Sequence, residues 1–124
     1  MGGIEEIGQI ALSVDDVARA VVFYRDVIGL PLLFQAGPKL AFLAAGRVRL
    51  MVANPEGAGA KPGANSVLYF RVADLAATHA TLVARGAQPV QEPHLVAKLP
   101  DHELWLSFVR DPEGNAIGLM EERR

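Results

Sequence analysis

Leu104–Glu122 reads LWLSFVRDPEGNAIGLMEE, and its centre is Asp111-Pro112-Glu113-Gly114-Asn115. Proline presets φ for the first central position of a tight turn, and Gly and Asn tolerate positive φ. A strand-like run lies on each side, Leu104 to Val109 before the turn and Ala116 to Met120 after it. Two such runs around a Pro/Gly/Asn turn predict a β-hairpin. A weaker copy lies earlier: Leu40 to Ala45, a turn at Gly46, then Val48 to Ala53. Val48-Arg49-Leu50-Met51 aligns with Ile117-Gly118-Leu119-Met120 at a spacing of 69 residues.

Working outward, each hairpin is preceded by the same three elements. Ile7 to Val14 alternates in polarity, with Ile10, Leu12 and Val14 on one face, and predicts a half-buried strand. Asp15 and Asp16 offer N-caps for a helix from Val17 to about Val27, whose stripe is Val17, Ala20, Val21, Tyr24 and Ile28 and which Gly29 stops. Pro31 to Gln35 predicts a short strand. The second copy runs through a strand at Val67 to Val72, a helix from Leu75 to Arg85 capped by Asp74 and closed by Gly86, and a strand at Pro89 to Ala97. His79, on that helix, is expected to be solvated.

The chain therefore reads as α+β, a single domain over 1–124 made of two βαβββ modules. Module one covers 7–53, the connector 54–66 and module two 67–122. The connector, NPEGAGAKPGANS, holds five Gly or Pro residues and is expected to be the most mobile internal segment.

Burial of the apolar strand positions contributes about 1.5–3 kcal/mol each and sets the register. The strongly apolar set, including Ile10, Leu12, Leu50, Val52, Ile117 and Leu119, must face the helices. The mixed set Gln9, Ser13, Arg49, Met51, Tyr69 and Arg71 is then left for the other face, and two sheets curved around it would form a cup.

Composition bounds the function. The chain has 124 residues, 51% hydrophobic and 21% charged, with net charge −2 and no cysteine. Scattered basic residues argue against nucleic acid as a partner. Disulfides and thiolate ligands are excluded. No apolar run approaches membrane length, and the first residues lack the pattern of a signal peptide, so no membrane partner and a cytoplasmic location are expected. No Ser/His/Asp order with a strand–turn–helix elbow is present, and GAGAKPG lacks the context of a P-loop.

Two segments, IALSVDDVARAVVFYRDVIGL (Ile10 to Leu30) and FVRDPEGNAIGLMEE (Phe108 to Glu122), resemble the vicinal oxygen chelate superfamily of glyoxalases, bleomycin resistance proteins and extradiol dioxygenases. The resemblance covers about residues 7 to 122. It implies paired modules curving around a central site, and a homodimer. It also implies that the four metal-ligand positions of the family's metalloenzymes fall at Gln9, Arg49, Val67 and Gly118. Val67 and Gly118 carry no donor and Arg49 repels a cation, so no metal cofactor is expected at that centre.

Two clusters remain. Arg49 is either a half-exposed partner of an acid across the sheet or an anchor for a ligand carboxylate, phosphate or enolate. If Glu103 pairs with it, the anchor is taken. The other cluster is His94, His102, Glu103 and Trp105. A turn near Lys98 to Asp101 would place His94 opposite Trp105 and Val96 opposite Glu103, with His94, Glu103 and Trp105 on one face and Leu104, Leu106 and Phe108 on the helix-facing side. His94 and Glu103 then read as a catalytic base and its orienting partner, or as a cross-strand pair at the rim. Together with Gln9 they would also be the donors of a displaced divalent metal site. His102 is expected to be solvated. The expected function is binding of a small anionic or aromatic molecule through Gln9, Arg49, Met51, Tyr69 and Trp105. The alternative is a glyoxalase-like lyase or isomerase using His94 and Glu103.

Overall fold

The computed structural model describes residues 3–54 and 65–124. The expectation of a mobile connector falls largely on residues outside that description. The chain divides at Asn65/Ser66 into two compact units.

The first unit contains β1 (Gln9–Ser13), α1 (Val17–Val22), a π-helical turn (Phe23–Val27), β2 (Leu32–Gln35), β3 (Leu40–Ala45) and β4 (Val48–Ala53). Its sheet has the order β1-β4-β3-β2. β1 runs parallel to β4, while β3 pairs antiparallel with both β4 and β2. The second unit contains β5 (Leu68–Arg71), α2 (Leu75–Ala84), β6 (Gln88–Lys98), β7 (Glu103–Arg110) and β8 (Ala116–Arg123). Its sheet, β5-β8-β7-β6, repeats the first with the same parallel first pair. Both βαβββ modules are present.

The helices start where aspartates can satisfy orphan backbone N–H groups. Asp16 Oδ1 accepts from the Arg19 amide at 3.0 Å, and Asp74 Oδ1 from that of Ala77 at 3.1 Å. The first helix does not run unbroken to Val27. From Phe23 it widens into a π turn, closed by the Ile28 amide donating to the Phe23 carbonyl. The consecutive rings Phe23 and Tyr24 are both buried there, edge to face with centroids 5.2 Å apart. That adds Phe23 to the expected stripe.

The Asp111–Asn115 turn is held by its own side chains. Asp111 Oδ1 accepts from the amides of Glu113 and Asn115 at 2.9 Å each, and Asn115 Nδ2 donates to Asp111 Oδ2 at 2.8 Å. Only Gly114 takes positive φ, at 84°; Asn115 serves as a buried hydrogen-bonding partner.

One face of each sheet packs on its helix. Leu12, Val14, Leu43, Leu50 and Val52 are buried in the first unit, and Ser107, Val109, Ile117 and Leu119 in the second. At the free edge of β1, the Asn65 carboxamide bonds both the amide and the carbonyl of Ser13 at 2.9 Å. This satisfies edge groups that would otherwise need water or another strand.

Candidate functional site

In the first unit, register fixes which side chains share the helix-free face. Gln9 stands beside Arg49, Arg49 beside Ala44, Met51 beside Phe42, and Phe42 beside Phe34. Directly paired residues point to the same side of a sheet. Gln9, Arg49, Met51, Phe42 and Phe34 therefore form one surface, as expected for the first three. Arg49 Nε donates to Gln9 Oε1 at 2.7 Å, and Gln9 Nε2 approaches Met51 Sδ at 3.7 Å. The Arg49 guanidinium lies 4.9 Å from the centroid of Phe42, whose ring is 6.3 Å from Phe34. No carboxylate among the described residues of the first unit pairs with Arg49. A guanidinium carries five N–H donors, so most remain available to an anion. Phe34 is 58% exposed. Sequence reasoning missed Phe34 and Phe42; the alternation of Phe42 against buried Ala41 and Leu43 was the available signal.

In the second unit, Tyr69 stands beside Gly118, and Gly118 beside Phe108. Val67 precedes β5 and is not opposite Gly118. The internal spacings that equated Gln9 with Val67 and Arg49 with Gly118 thus differ by two residues from one common rung. The Tyr69 ring lies on Gly118: a Cβ there would stand 2.5 Å from Tyr69 Cδ2. The ring meets Phe108 edge-on at 5.8 Å and is half exposed. Leu106 and Met120 pair on this same face.

The expected grouping of His94, Glu103 and Trp105 does not form. His94 pairs with Leu106, Leu95 with Trp105 and Lys98 with Glu103, with three irregularities along β6. His94 therefore shares the face of Leu106, while Glu103 and Trp105 project to the other side. His94 Nδ1 contacts the Glu92 carbonyl at 2.8 Å. Glu103 Oε1 accepts from Trp105 Nε1 at 3.1 Å. Trp105 is on the helix side, beneath Arg123 at 4.1 Å from the ring centroid. Arg123 Nε donates to Glu121, whose other oxygen accepts from the Leu75 amide at the start of α2. Trp105 is thus tied into the frame around the helix N-terminus.

The remaining histidines also differ from expectation. His79 is buried at 4% exposure because it continues the Leu75/Leu82 stripe, and its Nδ1 lies 2.9 Å from Ser107 Oγ. His102 is largely covered and its Nδ1 lies 2.8 Å from Asp101 Oδ1. That hydrogen bond is the main cause that holds the exposed Asp101 carboxyl below the usual carboxylate range, with Arg124 the smallest contributor.

The residues at the implied metal centre do not fit a metal. Of the four implied ligand residues, Gln9 alone carries a side-chain oxygen, and it accepts from Arg49 Nε at 2.7 Å. Gly118 has no donor and is covered by a ring. No group of three or more His, Cys, Asp or Glu among the described residues is placed to hold an ion.

Residues 6–119 match the sequence signature of the Glyoxalase/Bleomycin resistance protein/Dioxygenase superfamily. The chain belongs to this superfamily. Solved structures share the fold of this glyoxalase-superfamily protein. A lactoylglutathione lyase from Agrobacterium tumefaciens is 25% identical, with a TM-score of 0.75 and coverage of 97% of this chain and 96% of that one. An antibiotic-binding protein from a Streptomyces species is 23% identical, with a TM-score of 0.76 and coverage of 98% and 99%. A superfamily member from Sphaerobacter thermophilus is 21% identical, with a TM-score of 0.77 and coverage of 96% and 98%. No curated protein matches the sequence. No helix among the described residues is long and apolar enough to cross a membrane, which says nothing of a β-barrel.

Proposed function

We propose that this superfamily member binds a small aromatic anion on the face formed by Gln9, Arg49, Met51, Phe42 and Phe34, without a divalent metal. The observation that carries the reading is Arg49. Gln9 and Phe42 fix its guanidinium, yet no described carboxylate of the first unit neutralises it. A preoriented cation loses less freedom on meeting a carboxylate, and aromatic neighbours add about 0.5–1.5 kcal/mol per stacked ring. A fold shared with an antibiotic-binding protein supports binding by analogy alone. A lyase or isomerase reading based on His94 and Glu103 lacks geometric support, since a base and its orienting partner need a common face. The homodimer rests on family resemblance; light scattering giving a monomer at micromolar concentration would remove it.

Calorimetric titration with a panel of aromatic carboxylates, repeated after chelator treatment, tests the reading. Saturable binding that survives the chelator is expected. Binding only with added metal, or of neutral and cationic aromatics in preference to anions, would contradict it.

A further inference from the structure

Among the described residues, His79 is a buried titratable group that the proposed function leaves unused. Its Nε2 is buried with no hydrogen-bond partner. It lines an open cleft of ≈ 460 Å³ between α2 and β6, whose walls include Ala76, Ala80, Val83 and Pro93. The Glu92 carboxylate lies at the rim, 81% exposed, with Oε2 3.5 Å from His79 Nε2. That separation is too long for a hydrogen bond, whose usual length is about 2.7–3.2 Å.

It suits another geometry. Two donors each about 2.1 Å from a metal and 3.5 Å apart subtend about 113°, close to the tetrahedral angle. An ammonium or water about 2.9 Å from both atoms would be squeezed to about 75°, a poor angle for two hydrogen bonds. The ring is also oriented as metal-binding imidazoles are. Ser107 Oγ, at 2.9 Å, can accept from Nδ1–H, which leaves the Nε2 lone pair toward Glu92. Proline on each side, at 89 and 93, stiffens the strand that carries Glu92.

We propose that His79 and Glu92 form an open two-residue site for a divalent transition metal, oriented by Ser107. An imidazole with a carboxylate favours Zn²⁺ or Cu²⁺ over Mg²⁺ or Ca²⁺. The other cleft residues named carry no donor, so the remaining coordination positions belong to water or an external ligand. With two protein donors the metal exchanges readily, and it clasps α2 to β6.

The probe is Zn²⁺ alone, titrated into chelator-stripped full-length protein. One saturable site per chain is expected, with the histidine ring signals of His79 shifting in nitrogen-detected NMR. Glu92→Gln alters an exposed side chain and keeps the fold; it should weaken binding at least tenfold. His79→Gln should abolish it. Equal affinity in wild type and Glu92→Gln would overturn the site. So would Zn²⁺ shifts confined to His94 or to His102 beside Asp101 and Glu122.

Discussion

The two sheets have the same strand order and the same parallel first pair, yet their corresponding rungs carry different chemistry. In the first, Gln9 faces Arg49, an amide holding a cation. In the second, Tyr69 faces Gly118, a ring filling the space of a missing side chain. The helix sides differ as well. Tyr24 and Phe23 fill the first, while the second buries a His79–Ser107 polar pair. Apolar burial on one face fixes each module, so the opposite face is free to diverge without loss of the fold.

Breaking the helix face should cost the most. Leu43→Ala removes a fully buried side chain and should destabilise by about 2–5 kcal/mol in denaturant melts. Phe34→Ala, on the open face of the same sheet, should cost less than about 1 kcal/mol. Comparable losses would mean that the open face is structural.

The Tyr69–Gly118 rung comes next. Gly118→Ala forces a Cβ into the ring and should cost about 1–3 kcal/mol, and adding Tyr69→Ala should recover much of that. Additive losses in the double mutant would show that the ring is not what Gly118 accommodates. The aspartate caps should behave alike in both modules: Asp16→Ala and Asp74→Ala should each cost about 1 kcal/mol.

The smallest effect concerns Asp101. Its folded-state pKa is depressed, so its contribution is present above the unfolded value and lost as pH falls through the folded one. Carboxyl NMR should show Asp101 titrating below the ordinary range in wild type and returning toward it in His102→Ala. An unchanged titration would remove His102 as the cause.

Much of this was legible in the residues. The hairpin strands Leu40–Ala45 and Val48–Ala53 follow from the turn at Gly46 and their apolar alternation, and both aspartate caps precede an apolar stripe. The face of β7 was not legible. Leu104, Leu106 and Phe108 look like the core set beside Trp105, Ser107 and Val109. Yet Ser107 is the buried one, because His79 descends from α2 to meet it. A polar pair split between a helix and a strand leaves no periodic trace in either. The irregularities of β6 then shift His94 onto the Leu106 face, and a one-residue slip reverses every side chain beyond it. That Gln9, Arg49 and Met51 share a face was legible because the β1–β4 register is regular, whereas Phe42 and Phe34, on β3 and β2, were not anticipated.

The central claim is that Arg49 is poised for a ligand and not for the fold. Arg49→Met keeps the stem over Phe42 and removes the charge. Paired calorimetry and thermal melts on this variant test the claim most directly. The account predicts at least tenfold weaker binding of an aromatic carboxylate with a melting temperature nearly equal to wild type. A clear fall in melting temperature with unchanged affinity would show Arg49 to be a structural residue and contradict it.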